Sequence, residues 1–312
     1  MRASPRPAPT PLRGRPELMS AHRPVMLDEV IAGLAPRAGG LYVDATFGRG
    51  GHSAAILERI GETGRLHALD QDPEACQAAW KRFGTCPQFR IHRRNFAALA
   101  ALAGELGLKG CVDGLLIDQG VSSPQFDDAG RGFSFAHDGP LDMRMNPGAG
   151  PSAADWLARA DAEEIATVLW QYGEERNSRR IARRVIETRA TEPITTTAAL
   201  AKLVAGVPGP RSRSIHPATR TFQAIRIHIN QELSVLEQAL PQALNLLAPG
   251  GRLVVIAFHS LEDRIVKRYL RAQARLEQPI IRVLRKQFPQ PEESARNPRS
   301  RSAVLRTAER LP

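Results

Sequence analysis

The stretch Leu41-Tyr42-Val43-Asp44-Ala45-Thr46-Phe47-Gly48-Arg49-Gly50-Gly51-His52 constrains this chain more than any other. An apolar run ends at a carboxylate and a glycine-rich turn follows. Ser53-Ala54-Ala55-Ile56-Leu57-Glu58-Arg59-Ile60 then repeats apolar residues at helical spacing. Strand, loop and helix in that order open a doubly wound α/β fold that binds nucleotides. Gly48, Gly50 and Gly51 let the backbone turn sharply and approach a ligand. The helix behind them offers free N–H groups. Gly-x-Gly alone also occurs in ordinary strand-to-helix turns.

Asp44 narrows the ligand. A carboxylate at the strand end is awkward for a pyrophosphate and suits a cationic group, such as the ammonium and sulfonium of S-adenosylmethionine. Arg65-Leu66-His67-Ala68-Leu69-Asp70 is a second apolar run that ends in an acid. Asp70 lies roughly twenty residues past the glycines, where an acid can accept both ribose hydroxyls. It can also cap the helix that Asp72-Pro73-Glu74 begins, but Asp72 can serve as that cap, so the two readings are compatible.

Helical spacing is predicted over Met26 to Leu34, ended by Pro36 and Gly39-Gly40, and again over residues 74–83 and 97–106. Phe89-Arg90-Ile91-His92 reads as a third strand. Phe96, just beyond it, either packs on an adenine or fills the core under the next helix. Val112-Asp113-Gly114-Leu115-Leu116-Ile117-Asp118 is nearly continuous in apolar residues, as a parallel strand covered on both faces should be. Asp118 ends it at the ligand edge. The run from Gln119 through Met145 is loop-like and too long for a passive connection.

Residues 152 to about 205 show helical spacing without strand alternation, which predicts a small helical domain inserted in the sheet domain. The expected layout is a disordered basic tail over 1–20, a sheet domain over 21–128 and 214–312, and the helical insert over 129–213. Arg179, Arg180, Arg183 and Arg184 form a cationic stripe on one insert helix, either a solvated face or a phosphate contact. One long helix is expected from Pro217 to about Leu247. A fifth strand follows over Arg252 to Phe258, with His259-Ser260 at its carboxyl end, and then a helix from Leu261 to Ala274. Ile280 to Leu284 and Ser302 to Arg306 are expected to pair antiparallel at the far edge.

Charge bounds the partner. The 312 residues carry a net charge of +11, and the pI is about 10.5. That balance fits a nucleic-acid partner or an arginine-rich composition without one. Cys76, Cys86 and Cys111 show neither disulfide nor zinc spacing, so no metal is expected and the thiols read as those of a reducing compartment. No stretch is apolar enough to cross a membrane, and residues 1–20 lack a secretory apolar core. A cytoplasmic protein is expected. Oligomeric state, a homodimer included, stays open.

Several stretches together resemble one family. They include His22-Arg23-Pro24-Val25, Asp44 through His52, Gly120-Val121-Ser122-Ser123-Pro124-Gln125 and Arg131-Gly132-Phe133-Ser134-Phe135. Gly139 through Met145, Tyr172-Gly173-Glu174-Glu175, His216 through Gln223, Phe258 through Arg264 and Asn297 through Ser302 belong to the same set. From about residue 21 onward the chain is similar to the bacterial small-subunit ribosomal RNA methyltransferase H family, also called MraW. The resemblance implies a Rossmann-like sheet that uses S-adenosylmethionine to methylate the exocyclic N4 of one cytidine in the decoding region of 16S rRNA, within the small ribosomal subunit. It implies cofactor contacts at Gly50, Gly51, His52, Asp70, Phe96, Asp118 and Gln125, to which the strand-end reading adds Asp44 and Gly48. Gln119 departs from the apolar residue expected there, and the segment between Ala274 and Ile280 is short for the family.

An exocyclic cytosine amine is a weak nucleophile, because its lone pair is delocalised into the ring. A group that accepts its N–H and aims the lone pair would help. Asp118, or the backbone of Gly120 to Ser123, is placed for this; Asp118 can equally be a cofactor ligand only. Asp142 and His259 are second candidates, against a loop-fixing role toward Arg144 for the first and a strand-end structural role for the second. The Phe133-Phe135 loop is read either as a wall of the base pocket or as core between the domains. Arg144, Arg179, Arg183 and Arg220 are candidate phosphate ligands. Two rivals remain. A DNA or protein amine methyltransferase of this fold would usually carry Asn/Asp-Pro-Pro-aromatic where Asp118-Gln119-Gly120-Val121 stands. A non-catalytic RNA-binding factor would not need the glycine loop with Asp70 and Asp118.

Overall fold

The computed structural model describes residues 23–209 and 215–312; the tail over 1–20 and His22 lie outside them, as do Arg211 and Arg213. After α1 (Leu27–Leu34) the chain alternates strand and helix: β1 (Leu41–Asp44), α2 (Gly51–Ile60), β2 (Arg65–Asp70), α3 (Pro73–Phe83), β3 (Phe89–Arg93), α4 (Leu99–Leu106) and β4 (Val112–Asp118). A short α5 (Ser123–Asp127) leads into α6 (Ala153–Arg159), α7 (Ala162–Gly173), α8 (Ser178–Arg189) and α9 (Thr197–Gly206). The chain returns through α10 (Thr219–Asn230) and α11 (Glu232–Leu246) to β5 (Leu247–Ala257), α12 (Ser260–Gln273), β6 (Ile281–Gln287), α13 (Pro291–Arg296) and β7 (Val304–Arg310).

The sheet order is β3-β2-β1-β4-β5-β7-β6. β1 to β5 run parallel, and β7 pairs antiparallel with both β5 and β6. The strand order reverses between β1 and β4, the switch point where the carboxyl ends of neighbouring strands open a crevice. Asp44, Asp70 and Asp118 are the last residues of three adjacent strands there.

Both sheet faces are covered, which explains the continuous apolar strands. One core packs Leu99, Leu102, Leu236, Leu240, Leu244, Val266 and Leu270 against the sheet. The opposite core uses Val30, Leu34, Ile56, Ile60, Ala75 and Ala79. Leu240 is fully buried, and its truncation to Ala costs about 2–5 kcal/mol. Local signals agree with the packing: Asp72 caps α3 by accepting the Glu74 N–H, with Pro73 in the first turn.

A third core belongs to the helical unit and joins Trp156, Leu157, Ile165, Leu169, Ile181, Val185 and Leu200 to Phe133, Leu141 and Met143 of the preceding loop. It continues past residue 213, because Phe222, Ala224 and Ile225 of α10 are part of it. The single long helix expected from Pro217 to Leu247 is in fact two. Gln231 takes a left-handed φ of 51° between them. Asn230 explains the break: its amide donates to Met143 O and accepts from Met145 N, so α10 ends where it clamps the loop. β5 also starts earlier than expected, at Leu247 rather than Arg252, because Leu247 pairs with Val112.

Candidate functional site

The glycine loop is built by close contacts. Gly50 has φ +72°, and a Cβ there would lie 2.5 Å from the Phe47 ring. Gly51 is needed for a different reason, since its Cβ would meet Pro24 Cγ at 2.1 Å. At Gly48 the N–H donates to Asp70 Oδ2 at 2.8 Å, which ties the loop to the end of β2. A Cβ on Gly48 would meet nothing nearer than Ser122 Cβ at 3.9 Å, so the loop is open on that side.

Three carboxyl groups line the crevice; two of them, Asp44 and Asp70, take hydrogen bonds, all from neutral donors. Asp44, 1% exposed, accepts from Ser53 Oγ at 2.6 Å and Thr46 N at 3.2 Å. Burial pushes its pKa up to about 6, although the Ser53 bond pulls the other way. Asp70 accepts from Gly48 N and Asp72 N, and burial raises it to about 7. Asp118 is held by Thr46, whose Oγ1 accepts the Asp118 N–H at 2.7 Å. Its side chain is a quarter exposed, yet Oδ1 is shut off from solvent and without a partner. Burial, then Asp44 and Glu262, raise the Asp118 carboxyl well above the usual range.

His52 faces this group and is 6% exposed. Its Nε2 lies 3.0 Å from Val25 O, so that nitrogen carries the proton. Burial lowers the ring pKa to about 4, and the imidazole is neutral at pH 7. The Nδ1 lone pair therefore points at Asp118 Oδ2 across 3.6 Å and favours a proton on that carboxyl. Among the described residues no arginine pairs with any of the three acids, so the crevice suits a cation and repels a polyphosphate. The residues present therefore fit S-adenosylmethionine: an unpartnered acceptor at Asp118, acids for an ammonium, sulfonium and ribose, and an open glycine loop.

The other sequence candidates fall into distinct surroundings. Phe96 is half-buried against the sheet core below the end of β3. Gln125, 6% exposed, closes the capping box of α5, and its amide donates to Asp72 Oδ2 at 2.6 Å. Asp142 holds Arg144 through both of its oxygens, at 2.9 and 2.6 Å. Phe133 is buried in the core of the helical unit, and Phe135 packs on Phe222 and His216. Arg220 donates to Glu174 O. On α8, Arg180 reaches Pro208 O and Arg184 pairs with Glu187, and Arg179 and Arg183 are exposed without an ion pair among the described residues.

Two networks escaped the sequence. Arg131, 7% exposed, donates to Asp72 Oδ2 at 2.9 Å and to the carbonyls of Arg144 and Met145. It bolts the loop before the helical unit to the start of α3. The second lies behind Asp118: Arg226 holds Glu232 through both oxygens at 2.8 and 2.9 Å, and Glu262 and His259 sit beside them. His259 caps α12, its Nδ1 accepting the Glu262 N–H while Glu262 Oε2 accepts from Phe258 N. The spacing of His259 and Glu262, three apart at a helix start, was the available signal. Gln119 turns into this network, its amide donating to Glu232 O. Among the described residues, Glu232, His259 and Glu262 come nearest to a metal-ligand set. However, the guanidinium already takes both Glu232 oxygens, and the Nδ1 contact puts the His259 proton on Nε2, the nitrogen a metal would need.

No helix among the described residues is long and apolar enough to cross a membrane. Comparison with known proteins agrees with the geometry. The chain is 54% identical over 306 residues to the ribosomal RNA small subunit methyltransferase H of Thioalkalivibrio sulfidiphilus, covering 93% of this chain and 98% of that protein. Among solved structures, an rRNA methylase from Streptococcus thermophilus is 11% identical at a TM-score of 0.43, covering 96% of this chain and 99% of that one. A SAM-dependent O-methyltransferase from Thermotoga maritima is 12% identical at 0.41, covering 92% and 64%. The family model for the MraW methylases matches residues 19–311, and the chain belongs to that family of S-adenosylmethionine-dependent methyltransferases.

Proposed function

We propose that this protein methylates small-subunit ribosomal RNA, at the exocyclic N4 of one cytidine in the decoding region. The substrate class rests on the close relative's name and the basic chain. The atom and site rest on the family resemblance. The observation that carries the chemistry is Asp118 Oδ1, a buried acceptor without a partner at the switch point of the sheet.

S-adenosylmethionine supplies an electrophilic methyl on a sulfonium, which departs as a neutral thioether, so the proposed reaction needs no metal. Asp118 accepts one N–H of the amine, which orients the nitrogen lone pair and gives the departing proton a destination. Its raised pKa suits it to hold that proton. A cation in the crevice lowers that pKa, so the carboxylate forms when the donor is in place. Asp44 and Thr46 fix the loop and the Asp118 backbone, and Asp70 faces the ribose. His52 stays neutral and keeps its Nδ1 toward Asp118. Asp142 holds Arg144, and His259 positions the start of α12. The helical unit, with Arg179 and Arg183 exposed, is the substrate-recognition module.

The test is transfer of a labelled methyl group to small ribosomal subunits and to naked 16S rRNA, both from a strain that lacks the gene. Mass spectrometry then identifies the nucleoside. N4-methylcytidine at one position supports the reading; a methyl on any other atom overturns it. Single-turnover kinetics with Asp118→Asn isolate that residue: weaker cofactor binding with a normal transfer step would show it to be a cofactor ligand only.

A further inference from the structure

We infer that the outer face of α12 is a second docking surface for the RNA backbone, one that leads a strand toward Asp118. This rests on the proposed rRNA substrate and assigns part of the contact to the sheet domain. The helix runs Ser260-Leu-Glu-Asp-Arg264-Ile-Val-Lys267-Arg268-Tyr-Leu-Arg271-Ala-Gln273. Its inner face is set by Glu262, Val266 and Leu270, all buried. Arg264, Arg268 and Arg271 fall at i, i+4 and i+7, a single stripe on the opposite face, and all three are exposed. Lys267 flanks them, half-buried.

No hydrogen bond or ion pair engages any of these four side chains among the described residues. The helix's own acids do not answer them. Glu262 is turned inward to the caps of the helix, and Asp263 is taken by Arg306 through both oxygens at 2.6 and 3.0 Å. This differs from α8, where two of the four stripe arginines are engaged. Four unpaired cations over about 10 Å of helix present a local concentration of positive charge that fits the phosphate backbone of one strand.

Position supplies the second argument. Asp118 is level with Ile256 in the parallel β4–β5 pair, so α12 begins at the carboxyl edge that carries the site. Arg264 stands about 6 Å along the axis from Ser260. A strand held on this face therefore runs toward the edge of the sheet that carries Asp118. A second copy of the chain, with the same cations, would be repelled.

The experiment uses the full chain, a 16S rRNA transcript and S-adenosylhomocysteine, with affinity measured between about 50 and 200 mM salt. In Arg264→Gln/Arg268→Gln/Arg271→Gln, the slope of log affinity against log salt becomes shallower by about 2 to 3. KM for RNA rises at least tenfold (an order-of-magnitude expectation for three lost contacts), and S-adenosylmethionine affinity stays unchanged. The Arg→Lys triple variant keeps the charge and restores the slope, which a packing role would not allow. Arg179→Gln/Arg183→Gln reports the separate share of α8. An unchanged slope in the glutamine variant overturns the inference. So does an equal loss in the lysine variant, or intact transcript binding with loss of binding to a small-subunit protein. If the slope falls as expected but the methyl is found on another atom, the docking surface stands and the proposed cytidine reading fails.

Discussion

Two sets of acids in this protein are treated in opposite ways. Asp72, Asp142 and Glu232, which fasten the loops and helices around the insert, each hold an arginine: Arg131, Arg144 and Arg226. Asp44, Asp70 and Asp118, which end the strands at the crevice, hold none among the described residues: Asp44 and Asp70 accept only neutral N–H or O–H groups, and Asp118 Oδ1 accepts nothing. The first set is complete and locks structure. The second is left short of positive charge, its pKa values stand high, and a cationic ligand completes it.

The sharpest break in that contrast comes from Asp118→Asn, which is isosteric but removes the charge and the proton acceptor. Single-turnover methyl transfer is expected to fall about 10²–10⁴-fold, with cofactor affinity changed far less. On the other side, Arg131→Met strands Asp72 in a buried site and is expected to lower stability by about 3–5 kcal/mol in chemical denaturation. Adding Asp72→Leu should recover much of that loss, because replacing both partners is cheaper than removing one. No recovery would mean that Asp72 matters for its cap on α3 more than for Arg131.

Smaller effects sharpen the picture. Asp70→Asn is expected to weaken S-adenosylmethionine binding about 10–100-fold, the size of one or two lost charge-assisted hydrogen bonds, with a lesser effect on the transfer rate. The pH dependence is smaller again. Asp44 titrates near 6 and Asp70 near 7 in the free protein, both raised. A cationic ligand binds the ionised forms, so binding releases protons, and affinity rises with pH through that window and levels above it. Calorimetry in buffers of different ionisation enthalpy measures the release; a flat profile between pH 5.5 and about 7.5 would place the cationic end of the ligand away from these acids. The same raised values make the ligand-free protein lose stability as pH climbs from about 4, the ordinary carboxylate value, to about 7, with no further loss above, since ionisation is disfavoured in the folded state.

The crevice was legible because each strand announces its end: Asp44, Asp70 and Asp118 each close an apolar run, and the order of runs implies a parallel sheet. The far-edge pairing of β6 and β7 was legible from two short strand-like segments beyond α12. The break at Gln231 was not, because neither glycine nor proline marks it; it depends on Asn230 reaching a loop 85 and 87 residues away. Arg131 and Asp72 are 59 residues apart, and nothing in either local pattern points to the other. Arg226 and Glu232 are near in sequence but straddle that unseen break. Thus local periodicity revealed the open acids, and Asp142 with Arg144, two residues apart, could also be read locally, while Asp72–Arg131 and Glu232–Arg226 depended on tertiary contacts that the local patterns do not show.

The position of β7 has a consequence for synthesis. It follows every other strand in the chain, yet it lies inside the sheet, between β5 and β6. Nearby, Glu293 accepts the Met26 N–H and Arg299 pairs with Asp127, so the late segment also touches the approach to the glycine loop. A nascent chain can form β1 to β5 while it is still being made, but β6 has no neighbour until β7 arrives. Until β7 is available the sheet has an exposed β5 edge, open to pairing with other chains.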